Sequence, residues 1–152
     1  MNGNALIVEK AREWIGVPFL HAGRTKKGVD CVGLIVGVAR ELRLGDKNGE
    51  PLERRDEKGY GRSGRAQRLV FALSDALCAV SEKEAKPGDV ALFRIGAHAQ
   101  HVGFLSTLEE GGASTVIHAL ENVGKVAEHR LCDSWRKRIV GIYRVNSLRA
   151  LT

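Results

Sequence analysis

The sequence predicts an α+β domain in which N-terminal helices pack on an antiparallel sheet of about five strands. Apolar side chains recur at helical spacing only in the part of the chain before Ser81. Short runs rich in β-branched and aromatic residues follow from Val90 onward, separated by glycine-bearing or charged connections. The chain has 152 residues, so residues 1–152 read as a single domain large enough to bury one core.

The first helix is expected over Ala5 to Ile15, where Ile7, Ala11, Trp14 and Ile15 keep the helical spacing, Asn4 is the cap and Gly16 the exit. Val17-Pro18-Phe19 must then be extended, because a residue before proline avoids the helical region. A loop containing Gly23 and Gly28 leads to Asp30, a good N-cap. Cys31, Leu34, Ile35, Val38 and Leu42 follow as one apolar stripe, with Gly45 closing that helix. Asp46 to Gly64 reads as a charged surface excursion, and Leu69, Leu73, Leu77 and Val80 predict a further helix from Arg65 to about Ser81. Lys86-Pro87-Gly88-Asp89 is a turn. Strands are then expected at Val90–Ile95, His101–Thr107, Ser114–Leu120, Lys125–Arg130 and Arg138–Val145.

Composition narrows the function classes. The longest nearly apolar run, Cys31 to Ala39, is about half the ~20 residues of a membrane-spanning helix. The N-terminal segment has neither the basic start nor the apolar length of a signal peptide, which predicts synthesis in the cytoplasm and some other route for any role outside it. Three cysteines, Cys31, Cys78 and Cys132, argue against a disulfide framework. The net charge of +6 is concentrated at Arg24–Lys27, Arg62–Arg68 and Arg130–Arg138. Such patches attract anionic polymers, but no aromatic platform or recognition motif accompanies them, so nucleic acid is not expected as a partner.

Cys31 would occupy the first turn of a helix capped by Asp30, where unpaired backbone N–H groups and the helix dipole favour a thiolate. It also lies on the apolar stripe, so a plain core role competes with the catalytic one. A thiol nucleophile needs a base and a group that orients the base. If Leu108–Ala113 turns the chain so that Thr107 pairs with Ser114, then His101 faces Leu120 and His118 faces Gly103. The two histidines become diagonal neighbours on one face. His101 would then take the thiol proton and His118 would hold its tautomer. Gly33 is read as leaving open space one turn along from the cysteine, and Gly103 as leaving room for the rings. His98 and His101 have His-x-x-His spacing for zinc, but the glutamate of a zincin motif is missing, so no metal and no cofactor is expected. His129 is read as a surface residue, and Cys78 and Cys132 as structural or incidental.

Gly16-Val17-Pro18-Phe19, His21-Ala22-Gly23-Arg24 and Gly28-Val29-Asp30-Cys31-Val32-Gly33-Leu34 resemble the nucleophile region of NlpC-type cell-wall cysteine peptidases. Pro87 to Phe93, His101-Val102-Gly103-Phe104 and Val116-Ile117-His118-Ala119 are similar to that family's later blocks, in the same order. The His-x-Gly-Arg segment and the run from Trp135-Arg136 to Gly141-Ile142-Tyr143-Arg144 are similar to the branch found in phage tails and related particles. The resemblance implies a papain-like fold and hydrolysis of amide bonds in peptidoglycan stem peptides. It assigns Cys31 as nucleophile, His101 as base and His118 as the orienting third residue. It also implies tail-tip proteins as partners, carriage in a virion or virus-like particle, and action in the periplasm or cell wall.

Phe19 and Val32 depart from the tyrosine and serine that many relatives carry, so two hydroxyls are missing. Phe19, His21 and Asp30 are the candidate substrate- or oxyanion-contacting positions, with His21 the candidate partner for the Cys31 N–H side of that site. A lost oxyanion donor costs on the order of a hundredfold in rate. An inactive assembly module is therefore the alternative to an enzyme. A thiol acyltransferase or amidase is a third reading, weakened because the cysteine here precedes the histidines.

Overall fold

A computed structural model describes residues 3–56, 72–96, 98–108, 114–145 and 147–148. Residues 65–71 of the helix expected from Arg65 to about Ser81, the Arg62–Arg68 patch and much of the Leu108–Ala113 turn lie outside them. In chain order the elements are α1 (Gly3–Arg12), β1 (Arg24–Thr25), β2 (Gly28–Val29), α2 (Cys31–Leu42) and β3 (Leu44–Gly45). Then come a 3-10 turn at Leu52–Arg55, helical residues 72–76 (α3) and β4 (Cys78–Val80). The second half holds a 3-10 turn at Glu82–Glu84, β5 (Val90–Ile95), β6 (His98–Thr107), β7 (Thr115–Leu120), β8 (Lys125–Arg130), α4 (Asp133–Arg136), β9 (Ile139–Arg144) and β10 (Ser147–Leu148).

The main sheet is antiparallel and six-stranded, in the order β4-β9-β5-β6-β7-β8. The strand beyond the five expected is β4. Leu77 and Val80 keep helical spacing in the sequence, yet Cys78–Val80 pairs with Ile142–Arg144, so sheet pairing overrides the local pattern there. The helices cover one face of the sheet. Ile7 and Ala11 of α1, Trp14, and Leu34 and Val38 of α2 share a core with Leu92, Phe104 and Ile117. On the other face Ala91, Phe93, Leu105, Val116 and Ile142 form a second cluster, against which Trp135 packs.

Helix α1 runs earlier than expected, and Asn4 does not act as its cap. The Asn4 amide instead donates to the Pro87 carbonyl (2.9 Å) and to Asp89 (3.1 Å). Asp89 is fully buried and also accepts two bonds from Arg144, both 2.9 Å. The Pro87-Gly88-Asp89 turn is thus tied to α1 and β9 together. Past α1 the chain turns, and Gly16 and Phe19 donate backbone bonds to Val126 (2.9 Å) and Gly124 (2.8 Å). This fixes the Val17-Pro18-Phe19 segment against the β7–β8 hairpin.

Arg43, not Gly45, ends α2. Its left-handed backbone (φ 56°) returns the N–H to the carbonyls of Ala39 and Arg40. The charged stretch after it is anchored more firmly than a surface excursion would be. Asp46 is buried and accepts from the Asn48 and Glu50 N–H groups and from Arg55. Leu52 joins the helix-side core. Among the described residues no helix is long and apolar enough to cross a membrane.

Candidate active site

The nucleophile candidate is set by the start of α2. Asp30 has extended backbone and its Oδ1 accepts the Gly33 N–H at 2.7 Å, the N-cap bond the sequence predicts. Its Oδ2 accepts the Ala22 N–H at 2.9 Å, which pins the preceding loop. Arg24 adds a third donor, with Nη1 2.8 Å from Asp30 Oδ1, while its Nε lies 2.8 Å from Asp56. Arg24 is 8% exposed and Asp30 1%, so this is a buried ionic clamp on the helix start. Cys31 is the first helical residue beyond it, and the dipole and amide groups there favour a negative sulfur.

Gly33 does not leave open space. A Cβ there would sit 2.0 Å from the Gly23 carbonyl oxygen and 3.2 Å from Arg24 and Asp30. The missing side chain lets the loop and its arginine close over the helix start.

The base candidates come from adjacent strands. Phe104 pairs with Ile117 and Leu105 with Val116, in the register expected for the β6–β7 hairpin. Thr107 pairs with Thr115 instead of Ser114, because a bulge between Leu105 and Thr107 shifts the far end. The bulge lies away from the histidines, so the diagonal arrangement survives. His101 Nε2 is 2.7 Å from His118 Nδ1. A Cβ at position 103 would lie 2.9 Å from the His118 Cβ, so Gly103 does make room for the second ring.

A third histidine continues the row. The tight turn between β7 and β8 sets Val116 opposite His129, which makes His129 the diagonal neighbour of His118. His118 Nε2 is 2.6 Å from His129 Nε2, and His129 Nδ1 is 2.8 Å from the Arg130 carbonyl. His129 is therefore not the plain surface residue expected from its alternation. Gly124 in the turn was the available signal, since it fixes the hairpin register. Trp135, from α4, lies along the row, with ring centroids 6.1, 5.1 and 5.7 Å from His101, His118 and His129. Phe93, from β5, packs against the rings of His101 and His118. His118 is fully buried, and burial first, then the neighbouring His101 and His129, hold its pKa down to about 2. It is neutral wherever the fold persists at ordinary pH.

Cys31 and His101 open onto one cavity of about 450 Å³, also lined by Phe19, Leu120 and Trp135. Glu121 and Arg138 bring charges of both signs to its rim. Of the three further positions singled out in the sequence, Phe19 lines this cavity. Asp30 is buried in the clamp, where its oxygens are taken by Gly33, Ala22 and Arg24. His21 is exposed in the loop before β1 and does not line the cavity.

A capped helix presenting a cysteine, beside a strand presenting a hydrogen-bonded histidine, coincides with a match to the NlpC/P60 family model over residues 16–144. The chain belongs to the NlpC/P60 family. This family member is 28% identical over 135 residues to the murein DD-endopeptidase MepS/murein LD-carboxypeptidase of Escherichia coli (strain K12). That alignment takes in 87% of the chain but 57% of the relative. Its fold matches the crystal structure of the NlpC/p60 domain of peptidoglycan hydrolase SagA, with a TM-score of 0.62 and 22% identity over 94% of this chain and 99% of that one. NlpC2 from Trichomonas vaginalis has a TM-score of 0.65 at 18% identity, covering 95% of this chain and 49% of that one. The NlpC-type resemblance and the α+β fold read from the sequence are thus correct.

Proposed function

We propose that this NlpC/P60 protein is a cysteine endopeptidase that hydrolyses amide bonds in peptidoglycan stem peptides, with Cys31 as nucleophile, His101 as base and His118 orienting His101. The observation that carries the reading is the shared cavity of Cys31 and His101, with His101 bonded to the buried His118. The murein DD-endopeptidase and LD-carboxypeptidase named for the MepS relative support the substrate class.

In this mechanism His101 takes the thiol proton and the sulfur attacks the amide carbon, forming a tetrahedral oxyanion. Protonated His101 then gives its proton to the departing amine, leaving a thioester on Cys31. Water, deprotonated by His101, attacks the thioester; its collapse releases the carboxylate and returns the thiol. His118 accepts the His101 Nε2–H throughout and needs no charge of its own. Phe19 is an apolar wall of the cleft, and Asp30 acts on Cys31 through the helix start. No metal or cofactor takes part in any step.

Defined muropeptides incubated with the protein and analysed by mass spectrometry test the reading. The expected products are stem peptides split at one amide, lost in Cys31→Ser and His101→Ala proteins that keep the wild-type circular dichroism spectrum. Undiminished cleavage in either variant removes its assigned role. The missing hydroxyls at Phe19 and Val32 favour a second reading, an inactive assembly module, for which no cleavage at all is the expected result. We also propose carriage in a phage tail or related particle, with tail-tip proteins as partners and the cell wall as the place of action. The support is the His21–Arg24 segment and the Trp135–Arg144 run. Proteomic analysis of purified particles tests it, and absence of the chain from them contradicts it.

A further inference from the structure

The three histidines form a continuous row across β6, β7 and β8: 2.7 Å from His101 Nε2 to His118 Nδ1, then 2.6 Å from His118 Nε2 to His129 Nε2. The row ends 2.8 Å from His129 Nδ1 at the backbone carbonyl of Arg130. That terminus has a direction, because a carbonyl oxygen can only accept. His129 Nδ1 must therefore carry a proton, which in the neutral ring leaves Nε2 bare. Only His118 can supply the proton between the two Nε2 atoms, so His118 is protonated on Nε2 and bare on Nδ1. His101 must then carry its proton on Nε2. Each ring's tautomer is set by the next, and the last is set by the backbone.

We propose that His129 is a positioning residue for catalysis: it reads the Arg130 carbonyl and transmits that polarity through His118, so that neutral His101 keeps Nδ1 as its basic nitrogen. This rests on the reading of His101 as the base. His129 stands on the outermost strand of the sheet and is not among the residues that line the cavity shared by Cys31 and His101. A donor at the position of its Nε2 would reverse the row. His118 would accept at Nε2 and donate from Nδ1, and His101 would be left with its proton on Nδ1 and its lone pair turned to His118.

The test uses variants that differ in donor and acceptor character. Glutamine at this position offers a carbonyl acceptor, whereas arginine offers donors only. Long-range proton–nitrogen NMR of the imidazoles in the full chain reads which nitrogen is protonated, independently of cleavage. The wild type is expected to show His101 and His118 protonated on Nε2 and His129 on Nδ1. His129→Gln is expected to keep His101 on Nε2 and to lose at least tenfold less activity than His129→Arg. His129→Arg is expected to move the His101 proton to Nδ1 and lose roughly a thousandfold or more, the scale of a base held in the wrong tautomer. Wild-type His101 protonated on Nδ1 overturns the proposal even if no variant folds. So does an unchanged His101 tautomer in a folded His129→Arg protein, or equal activity losses in the two variants. If Cys31→Ser retains cleavage while the tautomers are as described, the nucleophile assignment fails and the row stands.

Discussion

Arg24 Nη1 lies 2.8 Å from Asp30 Oδ1, and both side chains are almost wholly withdrawn from solvent. The same guanidinium holds Asp56 at 2.8 Å, so one cation sits between two buried carboxylates. The clamp holds the start of the helix that presents Cys31, which ties the stability of this corner to its chemistry.

Removing the cation leaves two carboxylates without it. Arg24→Met is expected to cost roughly 3 kcal/mol or more, because a broken buried pair leaves uncompensated charge. Denaturant unfolding followed by circular dichroism measures the loss. A cost below about 1 kcal/mol, the range of exposed pairs, would show that water replaces the arginine without penalty.

Gly33→Ala tests a close approach against helix propensity. Alanine is favoured over glycine in a helix interior by about 1 kcal/mol. Here its Cβ would meet the Gly23 carbonyl oxygen at 2.0 Å, and that atom is backbone. The expected result is net destabilisation of roughly 1–3 kcal/mol, the usual range for overpacking. Stabilisation by this substitution would contradict the packing of the loop on α2.

His118 makes the fold acid-sensitive in a definite window. It titrates near 6.5 when unfolded and is held down to about 2 when folded, chiefly by burial. The unfolded chain thus binds the extra proton between these values, so stability falls as pH drops below 6.5 and is unaffected above it. The loss reaches about 1.4 kcal/mol per pH unit, or roughly 2.7 kcal/mol at pH 4.5. Unfolding of the wild type and His118→Gln across this range isolates the contribution, since the carboxylates titrate in both. Parallel stability curves for the two proteins would contradict a neutral buried His118.

What the sequence made legible was what local physics or a short turn determines. The stripe from Cys31 to Leu42 and the Asp30 cap lie within one helix, and both are as read. The pairing of His101 with His118 depends on one hairpin, and its central register was predictable even though a bulge shifts the far end. His129 was legible by the same reasoning and was lost by treating its strand alone: alternation gives a side, whereas the register with β7 gives the neighbour. Cys78–Val80 was not legible, because its pairing with β9 joins segments more than 60 residues apart along the chain. The contact at Gly33 was hidden for a similar reason. A glycine in a helix says that something is near or that nothing is, and only the folded loop distinguishes the two.

The most direct measurement is the pH profile of Cys31 alkylation by a small neutral probe, read by peptide mass spectrometry. Cys132 is exposed and serves as the internal reference. If Cys31 and His101 form a reactive pair, Cys31 is labelled at mildly acidic pH, well below the onset for Cys132, and His101→Ala moves its profile upward. Labelling of Cys31 that begins no earlier than that of Cys132, and that does not change in His101→Ala, would contradict the account.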